Sequence, residues 1–172
     1  RLRQKIRDVP DFPKPGIMFR DITTLLKDPS SFQKASDTFY ERYKNAGIQK
    51  VIAVESRGFI FGAALALRLG AGFVPIRKKG KLPAKTLQQE YALEYGTDSV
   101  EIHEDAIVPG ERILLHDDLL ATGGTIEAAC KLVEKLGGKI VGLSFLIELS
   151  FLHGREKLRN HEVFSIIQYE AE

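Results

Sequence analysis

Short apolar runs alternate with helical segments along most of this chain, and that alternation restricts its fold more than any other feature. Lys50 to Glu55 is a β-branched run that ends in the turn Glu55, Ser56, Arg57, Gly58. Phe73 to Arg77, Arg112 to His116 and Ile140 to Glu148 read as further strands, and Val163 to Tyr169 offers an edge strand. Between them, Phe59 to Leu69 and Thr125 to Leu136 have helical spacing, the first apolar nearly all round and therefore expected to be buried. Strands interleaved with helices imply right-handed crossovers and a mostly parallel twisted sheet flanked by helices, an α/β fold. With 172 residues, 44% of them apolar, the chain suffices for one well-buried core, so residues 1–172 are read as a single domain.

The rest of the chain departs from that rhythm in two places. At the start, Leu2, Ile6 and Val9 recur at helical spacing before Pro10, and Asp11 to Gly16 can only be extended or turning. This predicts a short helix and a stiff loop. After Asp28 and Pro29, Ser30 or Ser31 can cap a helix whose Phe32, Ala35, Phe39, Tyr43 and Ala46 form one face, ended by Gly47. The second departure is Lys78 to Ile107, a polar stretch with weak strand signals near Tyr91 to Tyr95 and Ser99 to His103. A connection of that length inside a compact domain is usually functional or mobile, so a flexible lid is expected over 78–107.

Composition narrows the function classes. Lys plus Arg number 25 against 23 Asp plus Glu, a formal charge of +2 that gives no broad electrostatic case for a nucleic-acid partner. The local cluster Arg77, Lys78, Lys79 and Lys81 reads, by itself, as a solvated turn. Cys130 is the one cysteine and falls on the apolar face of its helix, which predicts an inert core thiol and fits a reducing, cytoplasmic setting. The histidines never fall at metal-ligand spacing, so no structural zinc is expected. No apolar stretch approaches the ~18 residues of a membrane span, and no membrane partner is expected.

The segment Ile113 to Thr125 concentrates the chemistry. An apolar strand ends in Asp117 and Asp118, passes through Leu119, Leu120, Ala121, Thr122, Gly123 and Gly124, and enters a helix at Thr125. Free NH groups in that first turn, with the hydroxyls of Thr122 and Thr125, form a site suited to phosphate, and the glycines let the backbone approach closely. Two carboxylates beside an anion site make sense for a ligand with both a phosphate and vicinal hydroxyls, or with a magnesium ion. The spacing is neither a Walker A loop nor Gly-x-Gly-x-x-Gly. The composition alone also fits an ordinary capped turn.

This segment closely resembles the phosphoribosyl pyrophosphate signature of type I phosphoribosyltransferases. The likeness covers nearly the whole chain and points within that group to the adenine phosphoribosyltransferase family, through Phe12 to Leu26, Glu55 to Gly62, Ile76 to Pro83 and Leu93 to Gly96. The resemblance implies the type I fold with an N-terminal hood over residues 1–30. It implies that Asp117 and Asp118 hold the ribose hydroxyls, and that Ala121, Thr122, Gly123, Gly124 and Thr125 cradle the 5-phosphate. Ser56, Arg57 and Gly58 would form the pyrophosphate loop, with Arg57 also a catalytic residue acting on the leaving group; Arg77, Lys78 and Lys81 would bind the donor too, Arg77 reaching the partner subunit's site in a homodimer. Magnesium would ride on the pyrophosphate and not on protein ligands. Phe19 would stack on adenine while backbone groups of Met18 and Arg20 read its edge. Without the family, Arg57 reads as a surface cation and Phe19 as a core aromatic.

The implied reaction is attack of adenine N9 on C1 of the donor, giving AMP and pyrophosphate through an oxocarbenium-like state. Oxopurine enzymes of the superfamily carry an aspartate where this chain has Ala121, so the likeness favours adenine over another base such as orotate or an oxopurine. Glu94, matching the family's acidic loop residue, would accept or relay the N9 proton, or else is an exposed loop glutamate. A phosphoribosyl-pyrophosphate-sensing regulator is the rival of another class, but such proteins add a DNA-binding module for which this chain has no room.

Overall fold

The computed structural model describes residues 1–172. Its main sheet is built from β3 (Lys50–Val54), β4 (Gly72–Lys78), β5 (Thr86–Ala92), β6 (Thr97–His103), β7 (Arg112–Leu120), β8 (Lys139–Leu149) and β9 (Val163–Tyr169). The spatial order is β5-β6-β4-β3-β7-β8-β9. From β4 through β9 all pairings are parallel, while β6 runs antiparallel to both β4 and β5. Helix α3 (Gly58–Leu69) links β3 to β4 and α4 (Gly124–Lys135) links β7 to β8. After the single turn α1 (Thr23–Leu26), helix α2 (Pro29–Tyr43) joins α3 on one face.

Side-chain alternation explains why both faces are covered. Ile52 and Leu115 enter one apolar cluster with Ile126, Ala129, Cys130 and Val133 of α4. Val51 and Leu114, one residue away, enter the opposite cluster with Phe39 of α2 and Phe61 and Leu65 of α3. A strand buried on both faces in this way reads as a continuous apolar run, as these strands do. Cys130 lies in the core, and burial pushes its thiol up to about 12, so it is inert as expected.

The parallel sheet, the helices between its strands and the edge strand at Val163–Tyr169 follow the sequence reading, and five details do not. The N-terminal segment is a single 3-10 turn, Arg3–Lys5, after which β1 (Arg7–Pro10) pairs antiparallel with β2 (Met18–Asp21). The helical spacing of Leu2, Ile6 and Val9 loses to a pairing that the local pattern cannot reveal. Helix α2, which ends at Tyr43, is capped by Asp28, whose carboxylate accepts from the Ser31 amide at 3.3 Å and from its hydroxyl; Pro29 fills the first turn. Helix α3 is not buried all round, since Leu67 is 84% exposed and Ile60 also faces outward. Strand β7 does not stop at His116 but continues to Leu120, because Leu119 and Leu120 stay in register with Ile147 and Glu148. Finally, 78–107 is no structureless insertion: β5 and β6 form a hairpin over Thr86–His103 that widens the sheet.

Candidate active site

The carboxyl ends of the central strands carry the polar loops, the position at which open α/β sheets bind ligands. Where β7 gives way to α4, Ala121, Thr122 and Gly123 form a tight loop, with Gly123 at φ +92°. The amides of Thr122, Gly123, Gly124, Thr125 and Ile126 have no hydrogen-bond acceptor within the chain. They are the unpaired donors of a helix start and surround a cavity of about 90 Å³ that Asp117 also lines. The expected phosphate-loop residues are therefore together.

Asp117 and Asp118 differ from the expectation of a solvent-facing strand end. Both lie inside β7, and Asp118 is only 7% exposed. Its Oδ2 accepts from Arg57 Nε at 2.6 Å, while Asp117 Oδ1 accepts from the Asp118 amide at 2.8 Å. Burial holds the Asp117 carboxyl well above the usual carboxylate range, and the neighbouring Asp118 charge adds to that shift. Preceding them, His116 is fully buried, with Nδ1 2.9 Å from Ser144 Oγ, and burial pushes it down to about 4, so it is a neutral core residue.

Between β3 and α3, the Glu55, Ser56, Arg57, Gly58 turn leaves the amides of Ser56, Arg57 and Gly58 without acceptors in the chain. Arg57 ties the parts of the site together: besides its bond to Asp118, its guanidinium lies 5.6 Å from the centre of the Phe19 ring. The basic cluster folds onto Glu55. Lys81 Nζ donates to Glu55 Oε2 at 2.9 Å, and the Lys78 amide and Arg77 Nε donate to Oε1 at 2.8 and 3.3 Å. Burial raises the Glu55 pKa, but Lys81 and the Lys78 amide outweigh it and hold the group below its ordinary range. Lys78 Nζ turns the other way, to Asp98 and, at 2.7 Å, to Tyr91 of the hairpin. Arg77, Lys78 and Lys81 are thus paired cations bordering the turn, while Lys79 is exposed to solvent.

The hood lies over this turn. Met18, Phe19 and Arg20 form most of β2, and strand alternation sends the Phe19 and Arg20 side chains to opposite faces. Phe19 meets Phe12 edge to face at 5.1 Å and faces Arg57. The Arg20 guanidinium bonds Asp8 at 2.6 Å and stacks 3.9 Å from the centre of Tyr169 in β9, which pins the hood to the sheet. Met18 and Arg20, two residues apart, aim their backbone groups the same way, beside a cavity of about 190 Å³ that Leu149, Phe151 and Leu152 complete. Glu94 lies apart from these groups, exposed at the tip of the β5–β6 hairpin.

Residues 21–171 match the phosphoribosyl transferase domain family. An adenine phosphoribosyltransferase of Acidobacterium capsulatum is 60% identical over 168 residues, which cover 98% of this chain and 93% of that protein. The chain belongs to the adenine phosphoribosyltransferase family. Solved members agree with its fold: the adenine phosphoribosyltransferase of Thermoanaerobacter pseudethanolicus superposes with a TM-score of 0.95 at 53% identity, covering 98% of each chain. That of Saccharomyces cerevisiae, in complex with an imino-altritol bisphosphate and adenine, gives a TM-score of 0.90 at 43% identity over 95% of each chain.

Sequence reading missed two parts of this family member's site. One is the wall Leu149, Phe151 and Leu152 facing Met18 and Arg20, which follows the strand read over Ile140 to Glu148 and lies mostly in the 3-10 turn Ser150–Leu152, too short to show a periodic pattern. The other is the 3-10 turn Gly154–Leu158, which braces the phosphate loop: Lys157 Nζ donates to the Thr122 carbonyl at 2.9 Å.

Proposed function

We propose that this enzyme transfers the phosphoribosyl group of phosphoribosyl pyrophosphate to adenine, forming AMP and pyrophosphate. The observation that carries the reading is the convergence on Arg57 of the acidic pair beside the phosphate loop, the pyrophosphate turn and the hood, in a chain of this family. The Saccharomyces cerevisiae relative was solved with adenine and a bisphosphate together, a ligand pair of matching chemistry.

The 5-phosphate takes the loop amides of 122–126 and the Thr122 and Thr125 hydroxyls. Asp117 and Asp118 hold the ribose hydroxyls, and Arg57 moves from Asp118 to the pyrophosphate, which its 47% exposed side chain allows. The amides of Ser56, Arg57 and Gly58 then meet the charge that develops on the leaving group, as preorganised donors do. Asp117 and Asp118, beside the phosphate loop, fit a magnesium ion carried by substrate, since Mg²⁺ is commonly held by one or two carboxylates plus phosphates. When bound, it would neutralise the pyrophosphate charge.

Adenine lies against Phe19, between the hood and the wall at Leu152. Backbone groups of Met18 and Arg20 read its edge; a carbonyl accepts from an exocyclic amine but repels a 6-oxo group. Glu94, on the hairpin tip, comes over the base and takes the N9 proton. The outward Leu67, Ile60 and Phe73 supply an apolar face for a second copy, and Arg77, released from Glu55, serves the pyrophosphate site across that dimer. No helix is long and apolar enough to cross a membrane, and with the one inert core thiol a cytoplasmic enzyme of purine salvage fits.

Separate incubations of adenine, hypoxanthine, guanine and orotate with donor and magnesium test the reading. Pyrophosphate release should favour adenine by on the order of 10⁴-fold over hypoxanthine. Equal turnover of the two would refute it.

A further inference from the structure

The phosphate loop is held from behind by a turn that is itself held by one buried carboxylate. Gly154 opens the 3-10 turn Gly154–Leu158, and its backbone lies so close to the loop that a Cβ there would stand 2.5 Å from the Ala121 carbonyl oxygen. The Gly154 carbonyl in turn lies 2.8 Å from where a Cβ of Gly123 would stand. With the bond from Lys157 Nζ to the Thr122 carbonyl at 2.9 Å, the turn touches Ala121, Thr122 and Gly123 in succession, each time at the loop's backbone. Leu158, buried in the core, anchors the far end of the turn.

The near end is anchored by charge. Arg155 reaches Glu148, near the end of β8, by two parallel bonds of 2.8 and 2.9 Å. Glu148 is 4% exposed, and its Oε1 also accepts from the Ser165 hydroxyl of β9 at 2.7 Å. A bidentate guanidinium–carboxylate pair fixes direction as well as distance.

We propose that Glu148 and Arg155 are positioning residues for the donor's 5-phosphate: they set the orientation of the Gly154–Leu158 turn, and the turn sets the direction of the loop amides. Neither touches substrate. The inference rests on the phosphate placement given above and adds what fixes it.

Calorimetric titration of ribose 5-phosphate, with pyrophosphate plus magnesium as the second ligand, separates the two claims in wild type, Thr125→Val, Glu148→Gln and Arg155→Lys. All three variants should weaken ribose 5-phosphate, the last two by about tenfold, the scale of small misplacements of binding groups. Pyrophosphate affinity should not change, and in turnover the donor KM should rise while kcat holds. If Glu148→Gln does not fold, Arg155→Lys, at a half-exposed site, carries the test. Weakening in Thr125→Val alone overturns the positioning role and leaves the phosphate site standing. Equal loss of both ligands in Glu148→Gln and Arg155→Lys overturns it as general loosening. No effect in Thr125→Val removes the phosphate placement and the inference together.

Discussion

Replacing Gly123 by alanine should damage the phosphate loop, whereas the same change at Gly124 should not. Gly123 sits at φ +92°, and an added Cβ would stand 2.8 Å from the Gly154 carbonyl oxygen, a backbone atom that cannot swing aside. An L-residue in left-handed conformation costs about 1–2 kcal/mol, and forcing extra bulk into a packed site costs about 1–3 kcal/mol. The sum, about 3 kcal/mol if the loop relaxes in part, lowers Tm by roughly 6–12 °C for a chain of this length. Whatever relaxation occurs moves the amides of 122–126, so the donor KM should rise together with the loss of stability. At Gly124, already helical, a Cβ would meet the Tyr91 ring at 3.6 Å and the Ala92 carbonyl oxygen at 3.9 Å, both ordinary contacts. Alanine there should be neutral or gain up to about 1 kcal/mol of helix propensity. Thermal denaturation and donor saturation curves for both variants decide the matter. A Gly123→Ala protein with wild-type Tm and donor KM would refute the reasoning.

Three further outcomes follow from the same geometry. Because the Asp117 pKa is raised in the folded chain, its ionisation costs stability as pH climbs from the unfolded carboxylate value of about 3.9 through the raised folded value. Asp117→Asn should therefore raise Tm at pH 7.5 while impairing donor use, and a lower Tm at that pH would contradict the upward shift of the half-buried Asp117 carboxyl. Glu94→Gln should lower kcat with little change in donor KM, the signature of an interaction made mainly in the transition state, when single-turnover rates are compared; an unchanged chemical rate would remove Glu94 from the reaction. If two copies pair through the outward face of α3 as proposed, wild type should sediment as a dimer and Leu67→Glu as a monomer; a monomeric wild type, or a variant with the wild-type profile, would contradict that interface.

The sequence made the parallel core legible because each of its strands is apolar on both faces, as Val51 and Ile52 illustrate by entering opposite clusters. The acidic pair misled on one point. Asp117 and Asp118 read as a strand end, yet β7 runs through them, because pairing with β8 at Phe145, Ile147 and Glu148 outweighs the local charge. The hairpin at Thr86–His103 was faint because β5 leaves much of its length to solvent and buries few apolar groups, Leu87 and Tyr91 among them. The brace at Gly154 was invisible for a simpler reason: it works through backbone atoms and the absence of a side chain, which leave no pattern of hydrophobicity.

The most direct test of the site is a crystal structure of the chain with AMP bound. The 5-phosphate should lie on the amides of Thr122 to Ile126, the ribose hydroxyls on Asp117 and Asp118, and the adenine ring against Phe19, with its amine turned to backbone of Met18 or Arg20. A phosphate bound elsewhere, or a base lying away from the hood, would contradict the assignment.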